Sequence, residues 1–450
     1  MKSYQFKFWH YGLLLTLVIG SAVAYNLNID DKSLFISGDA THGHHQIELA
    51  CTSCHTDGFS GEEAVQQACL NCHAEELELV DDSHPRKKFL DPRNASLLET
   101  LDARLCVSCH TEHKPQITRE MGVTLAGDFC FHCHSDIAEE RSSHKDLGFE
   151  TCASAGCHNY HDNGSLYEDF LIAHADQPDH LETAKLPART AVQSWLNEHP
   201  QKVPLQISQA DIDSGDHGME ITAAWAQSVH AQTDVNCSSC HEENQIQFSS
   251  LEIVEQCTDC HSEQKKTFTE GKHGMRLSDK LAEEFIQQVG VISPQQARLP
   301  MSTNATDELS CISCHGPHQV DMQFAAVEAC LGCHNDEHSL AYKESPHFNT
   351  WTANPGDGVS CASCHLPRET HGDQIVANHN QNHNLRPNEK MLPVCLSCHG
   401  AEFSLAALAD KSLITSNFKH KPAEKHQTFD LIRERIARIS KSKNKQTKSQ

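Results

Sequence analysis

Apolar positions are sparse along this chain, and only the N-terminus gathers them into a run. Lys2 and Lys7 precede an apolar stretch from Leu13 to Ile19, which Ala22-Val23-Ala24 closes. That order reads as a secretory leader, residues 1–24, cut after Ala24. The alternative is an uncleaved anchor from Phe8 to Ala24, which would attach the chain to the inner membrane. It would barely span a bilayer, and His10 interrupts it. On either reading the remainder is expected in the periplasm or otherwise exported. Farther along, helical periodicity comes in short pieces. EEAVQQACLNCH and FAAVEACLGCH predict helices that deliver a cysteine pair near their C-terminal ends, and TAVQSWLNEH a short helix among prolines. FDLIRERIARIS begins an amphipathic helix with Phe429, Ile432, Ile436 and Ile439 on one side, which reads as a solvated tail, with a membrane-surface or partner anchor as the alternative. The expected fold is mainly α with extensive loops and little β. No other long apolar run exists, which excludes a polytopic helical membrane protein.

Composition sharpens the picture. The chain has 450 residues, of which 38% are hydrophobic and 6% aromatic. A length that allows about three domains comes with too little apolar material for ordinary cores. The unusual counts are 22 Cys and 34 His.

Every cysteine belongs to one pattern. Cys-x-x-Cys-His occurs at Cys51/Cys54/His55, Cys69/Cys72/His73, Cys106/Cys109/His110, Cys130/Cys133/His134, Cys237/Cys240/His241, Cys257/Cys260/His261, Cys311/Cys314/His315, Cys330/Cys333/His334, Cys361/Cys364/His365 and Cys395/Cys398/His399. An eleventh copy, Cys152/Cys157/His158, has two extra residues between its cysteines. Eleven pairs use all 22 cysteines. The spacing is the c-type haem attachment signature: two thioethers to the vinyl groups, with the adjacent His fixed as proximal iron ligand. Zinc ribbons or disulfides would explain paired cysteines, but neither needs a His after the second member of each pair. The expected cofactor is therefore eleven covalent haem c, whose apolar rings would supply the missing core.

Five motifs lie between Cys51 and His158 and six between Cys237 and His399. The expected division is a five-haem domain over 25–176, a linker over 177–216, a six-haem domain over 217–410 and a basic tail over 411–450. Close spacing of motifs 51/69, 106/130, 237/257 and 311/330, by first cysteine, suggests repeated two-haem modules. The tail holds eleven Lys/Arg and three Asp/Glu, +8, so residues 1–410 carry −33 of the total −25. An acidic body argues against nucleic acid and favours redox protein partners with basic docking surfaces.

Twenty-two histidines remain for eleven sixth positions once the proximal His and His10 are set aside. With only seven Met, bis-His ligation is the economical reading, and six-coordinate bis-His iron favours electron transfer over catalysis. No catalytic side chain is assigned. His113, His161 and His318 lie three residues after a proximal His, and His338 four after; so short a step requires each to serve a neighbouring haem. His45, His84, His144 and His174 complete the distal candidates of the first block, and His230, His273, His347 and His371 those of the second. His180, His199, His420 and His426 lie in polar segments and receive no role.

HGHHQIELACTSCH and CVSCHTEH, within residues 40–175, resemble cytochrome c3-type multihaem modules. The stretch CISCHGPHQVDMQFAAVEACLGCHNDEHSLAYKESPHFNTW, with CASCHLPRETHG, NHNLRP and VCLSCHG, resembles the hydroxylamine oxidoreductase and pentahaem nitrite reductase superfamily over 217–405. That resemblance implies His318, His338, His347 and His371 as distal ligands. It also implies features absent here. Its nitrite reductases commonly use a Cys-x-x-Cys-Lys motif, whereas all eleven motifs here end in His. Its hydroxylamine oxidases cross-link a late tyrosine, and the last tyrosine here is Tyr342. The expected function is conduction of single electrons, as in anaerobic respiration, from a quinol-linked donor to a terminal reductase or outer-membrane conduit. The alternatives are an oxidoreductase of nitrogen or sulfur compounds (nitrite, hydroxylamine, tetrathionate) at one five-coordinate haem, and a haem-filament subunit whose distal His comes from the next chain.

Overall fold

The computed structural model describes residues 7–28, 37–56, 61–80, 82–125, 129–141, 144, 159–162, 168–184, 192–212, 218–242, 247–305, 307–356, 358–371, 374–385, 388–425 and 428–447. The fifth motif, Cys152 to His158, lies outside the described residues.

Short helices and loops make up nearly everything, as the broken periodicity predicts. Strand structure among the described residues is one antiparallel hairpin, Arg368–His371 with Gln374–Ala377, in which Arg368 pairs with Ala377 and His371 with Gln374. The N-terminal helix α1 (Phe8–Asn28) is long and apolar enough to cross a membrane, by length and composition, and runs unbroken through Ala22–Ala24.

Local chemistry sets the other helix ends. Helix α2 (Glu62–Leu79) opens with Glu62 and Glu63, which favour its N-terminal dipole. It does not stop at its motif: the residues after His73, Ala-Glu-Glu-Leu-Glu-Leu, are good helix formers and carry it to Leu79. FAAVEACLGCH differs in another way. It splits into Met322–Ala326 and Glu328–Cys333, because Val327 at φ −141°, ψ −60° leaves the helical region. Ser249 starts Ser250–Thr258 with a capping box: its hydroxyl accepts from Glu252 N, and the Glu252 carboxylate accepts from Ser249 N at 2.7 Å. TAVQSWLNEH is helical over Val192–Glu198.

Three small apolar clusters hold these pieces. Leu277, Leu281, Phe285, Ile286 and Val254 gather with Ala50, which precedes the first motif. Ala326, Val327 and Tyr342 form the second. The third joins Leu171 and Ala175 to Leu392, Ala401, Leu405, Leu408, Phe429 and Ile432. It thereby packs residues 168–175 against the C-terminal helix Thr428–Thr447, whose first turns are docked and not solvated. Phe429 is fully buried, and Arg433 pairs with Glu402 while donating to Ala175 O. Phe429→Ala should weaken this docking by about 3–5 kcal/mol, the usual cost of emptying a buried aromatic site. Limited trypsin digestion should then cut at Arg433 and Arg435 far faster than in the parent; equal rates would contradict the packing.

Between the clusters runs one continuous cavity of about 5850 Å3, lined by cysteines and histidines of both blocks, including Cys51, Cys106, Cys314, Cys364, His73 and His399. An ordinary single-ligand pocket is ~300–1,000 Å3, so the space is about six to twenty such pockets. The chain encloses room for a core that its own side chains do not supply.

Candidate haem sites

Each described motif places its His by the same local device. The His backbone N–H donates to the carbonyl of the motif's first cysteine, closing one tight turn: His55 to Cys51 O at 2.8 Å, His110 to Cys106 O at 2.9 Å, His334 to Cys330 O at 2.8 Å, His399 to Cys395 O at 2.8 Å. Both cysteines and the His of a motif thereby fall within one five-residue turn.

Opposite nine of these histidines stands a second imidazole. In the first block the ring-centroid separations are 5.9 Å for His44–His73, 6.3 Å for His84–His134 and 6.4 Å for His110–His161. In the second they are 6.2 Å for His230–His261, 6.1 Å for His241–His318 and 6.1 Å for His273–His334. His315–His379 are 6.2 Å apart, His338–His365 6.1 Å and His347–His399 6.2 Å. Every pair contains one motif His. The interplanar angles nevertheless run from 15° to 88°. Direct packing would tie distance to angle, since stacked and edge-on rings differ in separation. A fixed distance with free rotation is what two axial ligands of one ion require. Metal–imidazole bonds of about 2.0–2.1 Å plus a ring radius on each side give roughly 6 Å between centroids. The residues present therefore fit haem c: two thiols for attachment, one imidazole on each side, and an apolar cavity for the ring.

The motif cysteines are not equally enclosed. Cys260 departs from the even picture that the repeated motif gives. It is exposed and lies off the cavity wall, whereas Cys257 and His261 of the same motif line the cavity. The same order, first cysteine half-buried and second exposed, holds at Cys51/Cys54, Cys69/Cys72, Cys130/Cys133 and Cys237/Cys240. Cys257 and Cys260 would both hold the group covalently, Cys260 from an exposed position. Cys237 and Cys240 also lie off the cavity wall, Cys240 being exposed, while the exposed Cys54, Cys72 and Cys133 line it.

The outer ring nitrogens support the axial arrangement. His84 Nδ1 donates to Tyr160 O at 2.5 Å, His338 to Ile414 O at 2.5 Å, His379 to Ala377 O at 2.9 Å and His399 to Asp179 O at 3.0 Å. His110 Nδ1 donates to Gly122 O at 3.2 Å, in a turn where Met121 and Gly122 both have positive φ. A carbonyl can only accept, so Nδ1 carries the proton and Nε2 keeps a lone pair for a metal. Carboxylates play this part elsewhere: Glu112 for His44 at 2.7 Å, Glu76 for His73 at 2.9 Å and Asp82 for His161 at 3.1 Å. Burial works against the charge on Glu112, but donation from His44 and Thr41 outweighs it and holds the carboxyl at about 2.

Burial lowers the pKa of His273, His347 and His365 to about 4, which keeps these rings neutral and metal-competent. In the haem-loaded protein these rings would be held by the metal and could not take the proton that an exposed imidazole binds near about 6.5. Acid below that pH should therefore favour the unfolded chain, read as a falling midpoint of chemical denaturation; an unchanged midpoint from about pH 7 to 4 would contradict it.

The distal candidates divide. His84, His161, His230, His273, His318, His338 and His347 each face a motif His. His161, His318 and His338 face the His of a different motif from the one they follow, at His110, His241 and His365. His45, His113 and His174 face no motif His among the described residues. Their Nδ1 atoms donate to His42 O, Gly38 O and Phe170 O, and His45 Nε2 is buried without a hydrogen-bond partner. His144 has no described motif ring across from it. His371 ends a strand, and its side chain lies outside the described residues. Two facing residues escape the sequence reading, His44 and His379. The signal for His44 was its place in His44-His45, where position along the chain does not say which ring turns inward. Among the described residues no ring stands across from His55.

Sulfurs connect the motifs. The thiols of Cys69 and Cys106, of Cys257 and Cys311, and of Cys330 and Cys361 approach within hydrogen-bonding reach. Cys54 also lies near Cys72, Cys240 near Cys257, Cys314 near Cys330 and Cys364 near Cys395. Neighbouring motifs are therefore in touch along each block.

The family model of cytochrome c3 matches residues 43–135 and 303–379. The first segment covers the first four motifs. The second segment covers the motifs at Cys311, Cys330 and Cys361, so the match in the second block is to cytochrome c3 and not to the hydroxylamine oxidoreductase superfamily expected there. No curated protein and no solved structure matches the chain.

Proposed function

We infer that the chain is a multihaem cytochrome c of mainly helical fold, with the electron-transfer character of that class. We propose that it is an exported carrier that binds haem c at all eleven motifs and passes electrons between redox proteins. The nine equally spaced imidazole pairs carry this reading. Bound haem c supplies iron that cycles between ferric and ferrous states. The chain's residues do the rest. The paired imidazoles would hold the group from both sides and leave no open position there for a substrate. Carbonyls and carboxylates at Nδ1 fix the rings, so little need move when charge changes. In the three described pairs of the first block and the six of the second, both histidines come from the same block. This supports two units within 25–176 and 217–410, each drawing the described facing imidazoles from its own residues. The acidic body suits basic partners, met through fast, salt-sensitive encounters. Helix α1 serves as leader or anchor, feeding from a quinol-linked donor toward a terminal reductase or outer-membrane conduit.

A pyridine haemochrome count combined with low-temperature EPR tests this, followed by carbon monoxide, nitrite and hydroxylamine on the reduced protein. Eleven low-spin haems per chain without ligand binding is the expected result. One high-spin haem per chain that binds nitrite or hydroxylamine would replace it with an oxidoreductase, and the motif of His55 would be the first place to look.

A further inference from the structure

The facing pairs differ in what holds the outer nitrogen of each ring. Most acceptors are neutral carbonyls, but the His44–His73 pair has a carboxylate on both sides. Glu112 Oε1 lies 2.7 Å from His44 Nδ1 and Glu76 Oε2 lies 2.9 Å from His73 Nδ1. The arrangement is built. Thr41 donates to Glu112 twice, from its N at 3.0 Å and its Oγ1 at 2.8 Å, so that carboxylate is oriented independently of His44. Glu76 is set one helical turn beyond His73 on α2, where i and i+3 side chains share a face.

A full negative charge at Nδ1 draws the proton outward and makes the ring a stronger donor to its metal. Doing so from both sides favours the higher charge on the iron, and a carbonyl does this far less. On the reading that these pairs are axial ligands, we propose that Glu76 and Glu112 are positioning residues that hold the centre at Cys69/Cys72 at a lower potential than the carbonyl-backed centres. The step concerned is a one-electron reduction of ferric to ferrous iron by a neighbouring reduced centre, with no bond made and no proton moved.

The position of this centre gives the effect a purpose. Its helix meets the second block: Lys266 pairs with Glu75 at 3.1 Å, and Lys280 donates to Cys72 O at 3.1 Å. Within the first block, Cys69 touches Cys106 of the next motif. A low-potential centre at this junction is an uphill step for electrons crossing between blocks, so each block fills as a separate pool.

The test is an anaerobic spectroelectrochemical titration of the haem-loaded chain beside Glu76→Gln, Glu112→Gln and the double variant, each checked by haemochrome count and low-temperature EPR. About one-eleventh of the reducible haem absorbance should move to higher potential. Each single substitution should raise its reduction constant at least tenfold, about 59 mV for a one-electron couple, and one low-spin EPR species should change its g values. Glu78→Gln removes the same charge two residues on, at an exposed position of the same helix outside the ring's hydrogen bond, and should leave the curve in place. Superimposed curves for all variants with the haem count intact would overturn the proposal, as would Glu78→Gln shifting as much as Glu76→Gln. Glu76→Gln alone suffices should Glu112→Gln disturb Thr41. Absence of low-spin bis-His signals in the parent would instead remove the axial-ligand reading beneath it.

Discussion

A chain produced without haem attachment should not fold. Its far-UV circular dichroism should lose most helical signal, and protease should digest it throughout, while the haem-loaded protein resists. The reason lies in what the three clusters enclose. Ordering a residue costs about 1–2 kcal/mol of backbone entropy, and burial returns about 25 cal/mol per Å2. The clusters around Leu405, Phe285 and Val327 are small for a chain of this length, and a cavity of about 5850 Å3 separates them. The imidazole pairs join residues far apart in sequence, such as His241 with His318 and His315 with His379, and nothing but a shared metal draws such rings to a constant spacing. A haem-free chain that unfolds cooperatively with holo-like helicity would overturn this account.

Removing one facing imidazole should have the next largest effect. His347→Ala should convert one haem per chain to a high-spin, five-coordinate form that binds one equivalent of carbon monoxide, with added imidazole restoring the low-spin form. His347 is half-buried opposite His399 at 6.2 Å, so its loss leaves space for a small ligand. His199→Ala is the control: its ring stacks on Trp195 at 4.1 Å, its Nδ1 donates to Trp195 O, and its loss should leave the EPR spectrum unchanged. If both variants remain fully low-spin, His347 is not a ligand.

Much of the helical, loop-rich architecture is legible from the chain because it depends on local chemistry. Cysteine pairs with an adjacent His mark each tight turn, and capping residues such as Ser249 mark helix starts. What stands opposite each motif is less legible, and so is how deeply each cysteine sits. The motif treats its two cysteines alike, yet in five described motifs, Cys257/Cys260 among them, the first is half-buried and the second exposed. Position separates His113, His161 and His318 from their own motif, yet His113 swings at φ 60° toward Gly38 O and not toward a motif ring. His44 and His45 differ only in rotation about the backbone, and the hydrogen bond to Glu112, 68 residues on, selects His44. His379 sits among asparagines in a polar loop, and Thr267 Oγ1, accepting from its backbone N–H at 3.0 Å, helps to place it. The tail helix reads as solvated because its partners, Leu171 and Leu405, are remote in sequence.

The direction in which the imidazole pairs cross the chain bears on maturation. In six of the nine pairs the partner precedes the motif: His44, His84, His230, His273, His338 and His347 emerge before the cysteines they serve. In three it follows, at His161, His318 and His379. A chain threaded through a translocon N-terminus first can therefore close six of these sites as each motif arrives. The sites at Cys106, Cys237 and Cys311 must wait half-made until the later His is delivered. Stalled or truncated export should thus yield particles whose unfinished centres cluster at those three motifs, a kinetic fingerprint written by the order of the chain alone.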